Sequence, residues 1–299
     1  MKKGIYILSL VLLICNISFA QFVGKDGVSK ALFYLQKEEL DSAKKYIDEA
    51  SVDSTISSQA KTFYYKGFIY KELYKKRQKD DKNSNFRLEA IDALKKLMET
   101  DKDKEFTESS SKMLNYLAST LYNDAARSLT PETYELAEGN FDKFKETMKL
   151  SNPDAELISQ DVKFKLALAS MLNQYAQQNN ALDSAKKDQI RLIYKEVLAL
   201  DSNNGSAHYN VGILYYNDAA DIINNMDYDM DLERLNELQD VCIDLFLKAL
   251  PHMKKSYELG YNRRETLIGL GNIFHGLNDE EKETIYKKEL EELESTDEK

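Results

Sequence analysis

The chain has 299 residues, with 41 Lys and Arg against 51 Asp and Glu for a net charge of −10, and it contains 3 Pro and 11 Gly. An acidic balance of this size repels nucleic-acid phosphates, and no basic stripe with interleaved aromatics offsets it, so nucleic acid is not expected as a partner. So few Pro and Gly leave few places to break a helical run, and charged residues at 31% suit amphipathic helices with one face in water.

The first twenty residues read as a signal peptide: Lys2 and Lys3 precede an apolar run from Ile5 to Ile14, and Ser18-Phe19-Ala20 fits cleavage after Ala20. The run is too short to anchor as a membrane helix, and nothing later in the chain could cross a bilayer. Lipid attachment at Cys15 is disfavoured, because Ile14 stands where a small residue is expected. The expected destination is the periplasm or the exterior. Removing Lys2 and Lys3 from the 41 basic residues leaves 39 against 51 acidic ones, a mature net charge of −12. Cys242 is then the only cysteine, and its neighbours Leu238, Val241, Leu245 and Phe246 make it a buried, inert thiol.

Downstream, a small residue is followed three positions later by an aromatic or a leucine: Gly67 to Tyr70, Gly212 to Tyr215, Gly271 to Phe274, and more weakly Ala31 to Tyr34, Ala118 to Leu121 and Ala169 to Leu172. The small residue lets two helices approach, and the large one fills the groove beside it. Each such segment is followed by a second helical period. These are Ala43, Ile47 and Ala50; Ala90, Leu94 and Leu97; Phe144, Met148 and Ser151; Ile190, Tyr194 and Val197; Ala249, Met253 and Ser256; Tyr286, Leu290 and Leu293. The hairpins fall at about 24–55, 60–105, 111–153, 162–203, 205–261 and 264–298. Thr130 before Pro131 predicts a helix start in the third, Pro251 predicts a kink in the fifth, and residues 280–299 predict a closing capping helix.

This alternation resembles tetratricopeptide repeat (TPR) proteins over nearly all of the mature chain. The resemblance implies an all-α fold, an α-solenoid of antiparallel helical hairpins with about six TPR-like units, several with elongated helices, forming one domain over residues 21–299. Where the sequence departs from the family, extra residues lie between the first and second helix of a unit. In the fifth unit they keep helical period: Ala219, Ile222 and Ile223 continue the first helix, Leu232, Leu235 and Leu238 begin the second, and the turn falls near Asp227 to Asp231.

Candidate chemistry is sparse. His208, His252 and His275 sit on separate elements without a ligand partner at i+3 or i+4, so no metal is expected. The run Asp227-Tyr228-Asp229-Met230-Asp231 has alternating oxygens, but Leu232 and Leu238 stand where a calcium loop needs Gly and Glu. No Gly-rich phosphate loop or nucleophile elbow appears, so neither an enzyme nor a cofactor is expected, and a small-molecule ligand is not expected either. The TPR resemblance places a partner-binding groove on the first helices, with Tyr64, Phe68, Tyr122, Tyr209, Ile213 and Tyr216 as its best anchors; packing between neighbouring hairpins is the competing role for each. Ile268 stands where the family's carboxylate-clamp members carry lysine, which argues against acidic chaperone tails. The implied function is an exported, non-enzymatic scaffold that binds a protein or peptide in a concave groove. The alternative is a cell-envelope carbohydrate-binding helical-repeat protein, opposed by the absence of tryptophan.

Overall fold

The structure, a computed structural model, describes residues 26–297 apart from Ser54, Ser57, residues 180–182 and Tyr228. The signal peptide, its cleavage site and Cys15 lie outside the described residues. Among the described residues there are twelve α-helices and no strand. In chain order they are α1 Gly27–Gln36, α2 Leu40–Val52, α3 Ala60–Leu73, α4 Asn85–Thr100, α5 Thr107–Arg127, α6 Tyr134–Ser151, α7 Ile158–Gln178, α8 Ser184–Leu200, α9 Gly205–Asn224, α10 Leu232–Glu258, α11 Arg263–Gly276 and α12 Glu280–Asp297. A π-helical turn, Tyr74–Gln78, prolongs α3. The protein is all-α. Its helices pack on their neighbours in sequence within two compact units: one takes in the described residues up to Ser128 together with Glu135–Ala155, and so α1–α5 and nearly all of α6, and the other takes in Leu129–Tyr134 and the described residues from Glu156 on, with α7–α12.

Capping chemistry explains where these helices begin. Asp26, Ser84, Asp183, Asn204 and Asp231 each accept from the amide three residues on, at 2.9, 3.1, 2.8, 3.0 and 2.9 Å. Each bond satisfies one of the amides a helix start leaves unpaired. Asp231 is thereby used as a cap, and Asp227 accepts from the Asp229 amide, which gives these acids local structural work. Three helices end alike, on a left-handed residue whose successor's amide reaches back to the last turn. Glu38, Gly260 and Asn278 have φ of 60°, 66° and 56°, and Glu39, Tyr261 and Asp279 donate to the carbonyls of Tyr34, Ser256 and Phe274.

Two boundaries show how far local signals reach. The helix expected to start at Thr130–Pro131 starts at Tyr134 instead, because Thr130 closes a turn: its carbonyl accepts from the Thr133 amide at 3.1 Å and the two hydroxyls meet at 2.9 Å. The fifth-unit insertion is absorbed as expected, α9 extending to Asn224 and α10 beginning at Leu232. Helix α10 continues through Pro251, whose missing amide leaves the Leu247 carbonyl without its helical donor on a face open to water.

The hairpins close on buried apolar faces. In the first unit Val28, Ala31, Leu40, Ala43, Ile47, Ala50, Ile69 and Leu73 form one cluster; in the second, Ala219, Cys242, Phe246, Ala249, Met253, Leu270, Ile273 and Phe274 form another. Cys242 is buried as expected, and burial pushes its thiol pKa up. The small residues work at two of the three glycine positions. A Cβ on Gly67 would lie 2.7 Å from Leu94, and one on Gly212 would lie 2.7 Å from Met253, whereas Gly271 has only an ordinary 3.7 Å neighbour in Lys287. Gly67→Ala is therefore expected to cost about 1–3 kcal/mol, since Leu94 is fully buried and has no room to yield. Gly139→Ala, in a helix with nothing within 4 Å of the added carbon, is expected to gain about 0.5–1 kcal/mol. Urea unfolding of the two variants checks the contrast, and shifts of the same sign would refute it.

Candidate binding surface

All six residues nominated from the sequence are half-buried, three in each unit. Tyr64 and Phe68 lie one turn apart on α3. The Tyr64 ring packs edge-on to Tyr65 at 5.1 Å and against Phe106, just ahead of α5, at 4.8 Å. Tyr122, on α5, lies against Phe144 and Phe141 of α6 at 5.1 and 6.2 Å. In the second unit Tyr209 faces Tyr261 at 6.0 Å, Tyr216 faces Phe246 at 5.9 Å, and Ile213 packs on the cluster around Met253. Burial raises the Tyr209 phenol pKa, with the Glu265 carboxylate adding to it. Tyr64, Tyr122, Tyr209, Ile213 and Tyr216 thus spend part of their surface tying helices together.

Phe68 differs, because it opens into a cleft of about 480 Å³ between α1 and α3, lined also by Leu35, Leu40, Glu38, Glu72 and Lys76. Leu35 and Phe68 hold different groove positions on successive first helices, at +4 from Ala31 and +1 from Gly67, and the packing of α1 on α3 brings them together. The rim is charged and paired. Lys76 bonds Glu38 at 3.0 Å and holds its carboxyl below the usual range, while Lys71 bonds Glu72 at 2.9 Å and sets its ammonium 4.3 Å from the Phe68 ring centroid. The result is an apolar floor bounded by both signs of charge. Two further clefts were not foreseen: about 520 Å³ between α4 and α6, floored by Leu88, Ile91, Thr147 and Leu150, and about 660 Å³ in the second unit, floored by Ile158, Val162, Leu166 and Leu200.

Sequence reasoning also missed the ionic ties between hairpins, which recur at one position. A residue at the start of a second helix meets one near the end of the next first helix. At the first junction Asp41 takes a bidentate pair of bonds from Arg77 at 2.6 and 2.9 Å, in solvent. At the second the signs reverse and the pair is buried: Arg87, 1% exposed, meets Asp124, 0% exposed, at 2.5 Å, and donates also to Thr120, Tyr74 and the Lys82 carbonyl. In the second unit Lys187 and Arg191 on α8 reach Asp218 and Asp221 on α9. One repeating junction therefore carries three chemical versions of the same tie. The chain is a helical-repeat protein. A sequence signal did exist, since Arg87 shares a helical face with Ala90, Ile91, Leu94 and Leu97, and Lys187 and Arg191 share one with Ile190, Tyr194 and Val197.

The scattered histidines are partly gathered. His208 of α9 and His252 of α10 place their Nδ1 atoms 3.1 Å apart, and His208 Nε2 lies 3.1 Å from the Ser202 carbonyl. That carbonyl requires the proton on His208 Nε2, so His208 Nδ1 accepts from His252 Nδ1–H. His275 is exposed and bonds Glu283 at 3.1 Å. Among the described residues no group of three or more His, Cys, Asp or Glu side chains is placed to hold a metal, and no helix is long and apolar enough to cross a membrane.

No protein-family model and no curated protein matches the chain. Among solved structures, a human IFIT1 dimer with m7Gppp-AAAA is similar over 88% of this chain and 59% of that chain, at 13% identity and a TM-score of 0.32. A monomeric mutant of IFIT1 with Gppp-AAAA is similar over 88% and 58%, at 14% identity and a TM-score of 0.31. The chain spans less than two thirds of the length of the solved chains it matches. The fold class rests on the hairpin packing described above.

Proposed function

We propose that this protein is an exported, non-enzymatic scaffold of the tetratricopeptide kind, which binds a protein or peptide segment on the open face of its first helices. The observation that carries the reading is the cleft where Leu35 and Phe68, both at positions the tetratricopeptide resemblance implies for contact, converge between opposite charges. A partner side chain buried against Phe68, Leu35 and Leu40 supplies hydrophobic affinity, and Glu38, Glu72 and Lys76 orient its polar flanks. Tyr64, Tyr122, Tyr209, Ile213 and Tyr216 extend the same face within their own units. Export rests on the Lys2-Lys3 start, the apolar run and the Ser18-Phe19-Ala20 site. The acidic charge favours a protein partner over nucleic acid.

Affinity capture from cell-envelope extracts tests this, with wild type compared against Phe68→Ala and against the Tyr64→Ala, Tyr209→Ala pair. Loss of a central aromatic anchor is expected to weaken capture by about 2 kcal/mol or more, roughly thirtyfold. Equal recovery of the same proteins by all three would refute the assignment. Recovery of glycan in place of protein would favour a carbohydrate-binding scaffold.

A further inference from the structure

The outward face of α10 is apolar at its centre and oppositely charged at its two ends. Leu247 is 54% exposed and Ile243 is 42% exposed, and Pro251 continues their stripe one turn on. Asp240 lies on this face seven residues before Leu247, and Lys254 lies on it seven residues after. With a rise of about 1.5 Å per residue, each stands about 10 Å along the axis from Leu247, and both project within a turn's width of its direction. Neighbouring charges are already satisfied within the helix: Asp244 by Lys248 at 2.6 Å, Glu237 by Arg234 at 2.7 Å, Glu258 by Lys255 at 3.5 Å. Asp240 forms no ion pair among the described residues, and Lys254, half-buried with its ammonium 5.6 Å from the Phe274 ring centroid, forms none within 4 Å, although its charge adds to the bonds from Lys282 that hold the Asp279 carboxyl below the usual range.

We propose that this stripe is a self-association surface on which α10 of a second copy of the chain docks antiparallel, with Leu247 on the twofold axis. The pattern is its own complement. Laid antiparallel about Leu247, the second helix sets Pro251 over Ile243 and Lys254 over Asp240, and twofold symmetry repeats both contacts. A parallel arrangement sets Asp240 on Asp240 and Lys254 on Lys254, which repel. A foreign partner has no reason to match charges equidistant from one leucine. A single helix pair buries an area at the low end for specific interfaces, so the dimer is weak and depends on concentration, and its ionic part weakens with salt. The surface lies on a second helix and is separate from the first-helix face assigned to the partner.

Sedimentation velocity of the purified protein over a hundredfold concentration range tests the pairing. Wild type is expected to shift from monomer to dimer, and Leu247→Glu to stay monomeric with unchanged helical circular dichroism. Asp240→Lys and Lys254→Asp are each expected to weaken association about tenfold. An equimolar mixture of those two variants is expected to dimerise again, because both cross-pairs then join opposite charges; this arm decides the matter if Leu247→Glu fails to fold. A wild type monomeric throughout, a dimer untouched by Leu247→Glu, or a mixture that stays as weak as its components would each overturn the proposal.

Discussion

Asp124→Ala is expected to cost about 3–5 kcal/mol, the largest effect of any single charged-residue change in the first unit. Asp124 is fully buried and takes bonds from both Arg87, itself buried, and Arg127. Removing it strands the Arg87 guanidinium in a space where water cannot replace the lost acceptor, and an unpaired buried charge is penalised far more than a broken surface pair. The Arg87→Met, Asp124→Leu double variant is expected to recover most of the loss, because desolvation of the ion pair disappears together with its attraction. Arg77→Ala breaks the equivalent exposed pair with Asp41 and is expected to cost under about 1 kcal/mol. Guanidinium unfolding of the four proteins measures this directly; an Asp124→Ala loss no larger than that of Arg77→Ala would show that burial does not set the strength of these junctions.

Acidification is expected to weaken the fold well before the carboxylates titrate. Burial holds the His252 pKa at about 4, helped by the His208 ring and the Lys195 ammonium, while the unfolded chain takes up the same proton near 6.5. Between those values the unfolded state binds more protons than the native state, so stability falls as pH falls, by at most about 3 kcal/mol once pH reaches the lower value. The entering proton lands on Nε2 of His252, since Nδ1–H already serves His208. Asp41 and Asp279, held below the usual range by hydrogen bonds from Arg77 and Lys282, lose their contribution only at lower pH. His252→Gln removes the titrating group and is expected to flatten thermal or urea stability between pH 6.5 and 4. The same slope in both proteins would contradict the burial of His252.

The hairpins were legible in the sequence because two independent periodicities agree: apolar residues at helical spacing, and a small residue paired with a large one three positions later. Gly67 and Gly212 show why that pairing is informative, since Leu94 and Met253 occupy the space a Cβ would take. The long fifth hairpin was legible for the same reason, its inserted residues keeping helical period on both sides of Asp231. What stayed hidden depends on register between helices. His208 and His252 are 44 residues apart and meet only through the pairing of α9 with α10. Arg87 and Asp124 each look like ordinary charged residues until the second and third hairpins stack. The cleft at Phe68 likewise needs Leu35 from the preceding hairpin, so spacing within one hairpin names its residues without showing that they converge. The division into two compact units has no Gly- or Pro-rich linker, and single prolines in turns are all that mark it: Pro131 within the Leu129–Tyr134 segment, and Pro153 just before Glu156, where the Ala155 amide donates to the Asn152 carbonyl.

Partner binding on the first-helix face is tested most directly by a photoreactive benzoylphenylalanine placed singly at Phe68, Tyr64 or Tyr209, with Leu192 on α8, 58% exposed, as the second-helix control. Irradiated in envelope extract, the three first-helix positions are expected to yield a discrete protein adduct that the Leu192 position does not. Adducts confined to Leu192, or none at Phe68 while the protein still captures its partner, would place binding elsewhere on the molecule.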